Sequence, residues 1–283
     1  MDKTQIAINT ESFLDYLDND ADIRKALQAV KEIGYESVEL WHVKGPEHQA
    51  SWRPFLDEAG LRCCAIHELY EEVMEHIDGT IAKAKNVGAG ILAIGRSRDT
   101  DWEDETSIRK LAEGLNELGR KCQTEGIQVL YHNHNTEFSR FGDKTGLDLL
   151  FELTDPELVG SELDAYWVQL SGADPVKWCK KLGGRLKIVH LKDIGVVLNT
   201  PDSFIKRPVC RAVGSGNMET ASIVEAAQES GCRIFAIETC TDWVDNDSIR
   251  CARESYQYLD RCYNTRYRSN QRNSKTCFRC RCS

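Results

Sequence analysis

The chain has 283 residues, 41% apolar and 29% charged, a composition that suits one large water-soluble domain or two small ones. Its formal net charge of −9 argues against nucleic acid as a partner, because a phosphate-backbone binder needs a basic balance. No run approaches 18 apolar residues, which excludes a helical membrane span, and the N-terminus lacks a signal-like apolar stretch, so the expected compartment is the cytoplasm.

In chain order, one pattern recurs: a charged segment with helical period ends at a glycine, and a short apolar run follows. Examples are "GYESVEL" from Gly34, "GLRCCAI" from Gly60, "GAGILAI" from Gly88, "GIQVLYH" from Gly126, "GGRLKIVH" from Gly183 and "GCRIFAIE" from Gly231. Glycine accepts the left-handed conformation that closes a helix, and a short apolar run reads as a strand buried on both faces. With "QIAINT" and "LVGSELDAYWV", the strand candidates fall at about 5–9, 36–41, 61–67, 90–95, 127–132, 158–164, 186–191 and 233–238. Eight strands alternating with helices predict an α/β fold, a single-domain (β/α)8 TIM barrel over residues 1–265. An open doubly wound sheet is the runner-up, but "AINTES" after the first strand is not a Gly-rich phosphate turn. Residues 266–283, "RYRSNQRNSKTCFRCRCS", carry six Arg/Lys, no acid and three cysteines, and read as a basic, disordered tail. Of the twelve cysteines, the nine before this tail read as reduced and structural, with Cys63, Cys64, Cys232 and Cys240 in or beside strand-like runs.

Catalysis in such a barrel sits at the C-terminal ends of the strands. The second predicted strand ends in Glu39 and His42, and the third in His67 and Glu68. The fifth delivers His132, His134 and, just beyond, Glu137; the sixth Glu162 and Asp164; the seventh His190, Lys192 and Asp193; the eighth Glu238. Any one of these reads equally well as a hydrogen-bonded or capping residue. A ring of Asp, Glu and His from successive strands matches instead the ligands of Mn²⁺, Mg²⁺, Co²⁺ or Zn²⁺, and isolated charges there are costly.

"YHNHNTEF", "ELDAYWV", "VHLKDI", "VGSGNME" and "AIETC" occur in that order. Together they resemble the sugar phosphate isomerase/epimerase superfamily of xylose isomerase-like TIM barrels, over about residues 3–262. The subgroup with Y-H-N-H-x-x-E-F is related to inosose dehydratases and keto-sugar epimerases. The resemblance implies one divalent ion, Mn²⁺ first, held by Glu137, Asp164, His190 and Glu238. Glu137 is the substitute carboxylate, because many members have a glutamate where this chain has His132; if His132 ligates, Glu137 becomes a candidate base. His132, His134, Glu238 and Lys192 are the implied catalytic groups, and His67, Trp167, Trp41 and Glu39 the candidates for substrate contact. The implied function is metal-dependent isomerisation or epimerisation of a sugar or keto-sugar by proton transfer next to a carbonyl, through a metal-stabilised enediolate. The alternative is dehydration of an inosose or 3-keto-sugar on the same site. More remote readings are an abasic-site endonuclease and a non-catalytic scaffold. A small sugar or cyclitol is the expected partner, and a homo-oligomer is an open expectation.

Overall fold

The computed structural model describes residues 3–41, 52–198, 200, 204, 206–239 and 247–277, with side chains through residue 262. The strands are β1 (Ile6–Asn9), β2 (Ser37–Trp41), β3 (Arg62–Leu69), β4 (Ile91–Arg96), β5 (Gln128–His132), β6 (Arg140–Phe141), β7 (Lys144–Thr145), β8 (Val159–Asp164), β9 (Leu186–Leu191), β10 (Asp193–Leu198), β11 (Lys206–Arg211) and β12 (Ile234–Ile237). Eight of them are parallel and close in the order β1-β12-β9-β8-β5-β4-β3-β2, a (β/α)8 barrel as the periodicity predicts. Closure is made by β1 against β12, with Ile6 opposite Phe235 and Ile8 opposite Ile237.

Helix ends follow local rules. Asn19 accepts from the backbone N–H of Ala21 and Asp22 and starts the helix Asp20–Ile33. Gly34 ends it at φ 123°, and an added Cβ there would lie 2.7 Å from the Tyr256 hydroxyl. Two short antiparallel hairpins, β6–β7 and β10–β11, were not anticipated by the strand pattern. The last helix runs Ser248–Cys277, so the backbone stays helical beyond residue 266, where a disordered tail is expected from composition. No glycine or proline interrupts 248–277, which leaves nothing local to stop the helix. Cys240, Cys280 and Cys282 lie outside the described residues. The eight described cysteines before the tail are free, and most are buried.

Alternation along the strands positions the site. Ala7, Ala65, Leu130, Ile188 and Ala236 form a small buried cluster of their own, a plug inside the barrel. Each lies two residues before a polar residue: Asn9, His67, His132, His190 and Glu238. Side chains of a strand repeat on one face every second residue, so the polar layer rests directly on the apolar plug.

Candidate active site

At the C-terminal mouth, His132, Asp164, His190 and Glu238 offer four donor atoms that all lie within 4.8 Å of one another. They come from the ends of β5, β8, β9 and β12 and are buried. Two imidazoles and two carboxylates suit a first-row divalent ion. The test of fit lies in the positive charge already gathered there. The Lys192 ammonium is 2.9 Å from Asp164 Oδ2 and also pairs with Glu238 Oε2, and His190 Nδ1 is 3.3 Å from that same oxygen. These carboxylates need a cation, and the donor set fits a metal. Burial opposes charge on Glu238, but Lys192 and His190 hold its pKa well below the ordinary range. Asp164 is raised, mainly by burial, with Lys192 opposing.

Beneath this group lies a second carboxylate layer. His190 Nε2 is 2.7 Å from Glu39 Oε2 and 3.4 Å from Glu162 Oε1. His132 Nδ1 is 3.2 Å from Glu162 Oε2, and His67 Nδ1 is 3.0 Å from Glu39 and 3.3 Å from Glu162. His132 and His190 thus turn one ring nitrogen to the upper donors and the other to a buried carboxylate. That is how metal-ligating histidines are oriented and made more basic. Burial first, and Glu39 second, push Glu162 up to about 7. Burial would also raise Glu39, but His190 and His67 reverse the effect and hold it below its usual range. His67 and His190 rise against burial because these carboxylates surround them. His67 has room because β4 carries Gly95, where a Cβ would fall 1.9 Å from His67 Nε2.

Glu39 is therefore not at the substrate surface as expected: it is fully buried beneath the histidines. Glu137 also differs from the expectation of a ligand. Its oxygens accept from Tyr131 Oη at 2.9 Å, from the His134 backbone N–H at 2.9 Å and from Thr136 Oγ1 at 3.1 Å. Those bonds bolt the turn after β5, and His132 stands in the donor group instead. Asn133 performs a similar task. Its Oδ1 accepts the Asp164 N–H at 3.0 Å, and Asp164 Oδ1 in turn accepts from Trp167 N–H to cap the following helix. Asp193 is also structural: its carboxylate accepts the backbone N–H groups of Ile194, Gly214 and Met218, which fastens the "VGSGNME" turn. Glu68 pairs with Lys83, and His42 lies outside the described residues.

Above the donors is a cavity of about 170 Å³ lined by Glu11, Trp41, His67, His132, His134, Trp167, Lys192 and Glu238. Of the expected substrate contacts, Trp41, His67 and Trp167 are there, as are the expected catalytic groups. The Trp41 and His67 rings meet edge to face at 4.6 Å, and Trp167 lies 5.6 Å from His134. Burial, reinforced by Lys192, lowers His134 to about 3, so its imidazole is neutral at ordinary pH. Its Nδ1 is buried with no hydrogen-bond partner among the described residues. Glu11 is the cavity residue that the predicted strand ends do not include. It lies in the 3-10 turn Thr10–Tyr16 that leaves β1, so closeness to a strand end is the signal in the sequence that points to it.

Comparison with known proteins agrees with the barrel. The family model of the xylose isomerase-like TIM barrel matches residues 27–262. Inosose dehydratase 2 of Bacillus cereus is 32% identical over 144 residues, 50% of this chain and 42% of that protein, so the match spans less than half of the relative. The inosose dehydratase of Lacticaseibacillus casei is 27% identical over 236 residues, covering 80% of this chain and 71% of that one. A solved sugar phosphate isomerase/epimerase from Parabacteroides distasonis superposes with a TM-score of 0.71 at 23% identity, over 92% of this chain and 94% of that one. A xylose isomerase-like TIM barrel protein from Mycobacterium smegmatis, solved in complex with magnesium, gives a TM-score of 0.66 at 19% identity, over 90% and 95%.

Proposed function

The chain belongs to the xylose isomerase-like TIM barrel family, and we propose that it is a divalent-metal-dependent dehydratase of a cyclitol or keto-sugar, removing water across the two carbons beside a carbonyl. The isomerase or epimerase reading shares the first step, abstraction of a proton next to the carbonyl. It differs in the second, where the proton returns instead of a hydroxyl leaving. The curated relatives at 27–32% identity are dehydratases, and that tips the choice.

The observation that carries the reading is the four-donor group lying beneath a cavity that holds a neutral imidazole, His134. His132, Asp164, His190 and Glu238 would hold the ion, which when bound polarises the carbonyl and an adjacent hydroxyl. His134 accepts the proton, since a neutral, buried imidazole has a lone pair to offer at neutral pH. Trp41 and Trp167 supply apolar walls for a ring and keep water from the reacting carbons. Lys192 holds the carboxylates of Asp164 and Glu238 in place at the wall of the cavity. The magnesium partner of the Mycobacterium smegmatis structure supports a divalent ion, with Mg²⁺, Mn²⁺, Co²⁺ and Zn²⁺ all compatible with two imidazoles and two carboxylates.

The test is to load the protein with each ion and supply an inosose, then follow the reaction by proton NMR in D₂O. Release of water with formation of the unsaturated ketone is expected. A product that retains every oxygen would return the chain to the isomerases.

A further inference from the structure

We propose that Glu11 is the acid of the reaction, giving its proton to the departing hydroxyl from the side of the cavity opposite His134. The assignment rests on the dehydratase reading and adds to it a second proton-transfer group.

The topology makes the opposition. In the closed order β1-β12-β9-β8-β5-β4-β3-β2, β1 is four strands from β5 in either direction, directly across the barrel. Glu11 follows β1 by two residues, and His134 follows β5 by two residues. Both line the same cavity. Elimination from a ring is served by this layout, a base at one carbon and an acid at the oxygen of its neighbour.

The carboxyl of Glu11 is placed rather than merely present. Its backbone N–H donates to Asn9 Oδ1 at 2.8 Å, which fixes the turn leaving β1. The Trp41 side chain donates a hydrogen bond to the carboxyl. Oε2 is buried and has no hydrogen-bond partner among the described residues. A buried carboxyl oxygen without a partner is costly unless it carries a proton or meets a ligand hydroxyl. Burial first, and Glu238 second, raise its pKa, which favours the protonated form. The Lys192 ammonium, which lines the same cavity, already pairs with Asp164 and Glu238. Glu11 has an oxygen committed to nothing described.

The step balances without an added oxidant or reductant. The base takes the proton beside the carbonyl, and the electron pair of that C–H bond becomes the new C=C bond. The C–O bond to the neighbouring carbon breaks as the Glu11 O–H proton passes to that oxygen, and water leaves. Glu11 is left as carboxylate, His134 as imidazolium, and exchange of protons with solvent restores both.

The experiment compares wild type, Glu11→Gln and Glu11→Asp, each loaded with metal, on a pentahydroxycyclohexanone and on its analogue bearing fluorine at the departing position. Fluoride needs no proton to leave. Glu11→Gln is expected to lose about a hundred- to thousandfold in water elimination, with KM little changed and metal content unaltered. It is expected to retain deuterium exchange beside the carbonyl and near-wild-type release of fluoride. Glu11→Asp, still an acid but set back by one methylene, is expected to fall between. Wild-type water elimination by Glu11→Gln overturns the assignment, as does a rise in KM with kcat intact. Equal loss of exchange and fluoride release also overturns it, because Glu11 would then act earlier or only in folding. These three outcomes leave the dehydratase reading standing. Wild-type enzyme that exchanges the proton but never eliminates sinks that reading, and the role of Glu11 with it.

Discussion

The turn after β5 and the ends of β8 and β12 each bury carboxylates at the same mouth, but they satisfy them differently. Glu137 receives a hydroxyl from Tyr131, a hydroxyl from Thr136 and a backbone N–H from His134. Those neutral donors come from its own stretch of chain, and they complete it. Asp164 and Glu238 are answered by charge, through Lys192 and His190. A buried carboxylate with a full set of neutral donors is a structural bolt, whereas one that depends on cations marks where an ion belongs.

Metal removal should break that contrast most visibly. Chelation, or Asp164→Ala, is expected to lower turnover on the order of a thousandfold, equal to several kcal/mol of charge stabilisation. Activity measured against metal content, before and after readdition of the ion, checks this. Next in size, His134→Ala should cut kcat on the order of a hundred- to thousandfold while the protein keeps its ion, as steady-state rates and metal analysis on one sample would establish. The lower layer sharpens the comparison further. Glu162→Gln leaves the upper donors in place but withdraws a carboxylate from His132 and His190, so metal affinity should fall about ten- to hundredfold. Competition with a fluorescent chelator reads that directly.

The smallest effects are in stability. His134 is neutral in the folded protein with a pKa of about 3, against about 6.5 unfolded. Its folded-state pKa is depressed, so as pH falls below 6.5 the unfolded chain takes up a proton that the folded one refuses. Stability is full above 6.5 and is lost progressively toward 3. Denaturation of metal-free wild type and His134→Gln from pH 7 to 4 should therefore show the variant gaining relative to wild type as pH drops. A constant gap would show that His134 titrates freely.

The barrel was legible because its rule is repetitive. Each glycine-closed helix followed by an apolar run became a strand, and none of the eight candidates fell outside the closed sheet. The β10–β11 ribbon was not, since β10 follows β9 after one residue with no helix between, and β11 carries Pro208, so neither strand fits the rule of a glycine-closed helix before an apolar run. Strand ends also gave away most of the cavity. What one dimension cannot show is depth. Glu39 and Glu238 both fall near a predicted strand end, yet Glu39 sits inside β2 and meets His190 Nε2 from below, whereas Glu238 follows β12 and meets Nδ1 from above. Nor does spacing reveal that Glu137 closes its own turn, whereas His132, on the inward face two residues after Leu130, reaches the donors. Glu11 is hidden for a simpler reason: it lies in the 3-10 turn after β1, past the strand's alternation, so only its closeness to the strand end marks it.

Metal content of Glu137→Gln beside Asp164→Asn, both purified and folded, tests the account most directly. Glu137→Gln is expected to retain about one ion per chain while losing about 1–3 kcal/mol of stability, and Asp164→Asn to lose most of its metal. An Asp164→Asn protein that keeps its ion, or a Glu137→Gln protein that loses it, would contradict the assignment of which carboxylates serve the metal and which serve the fold.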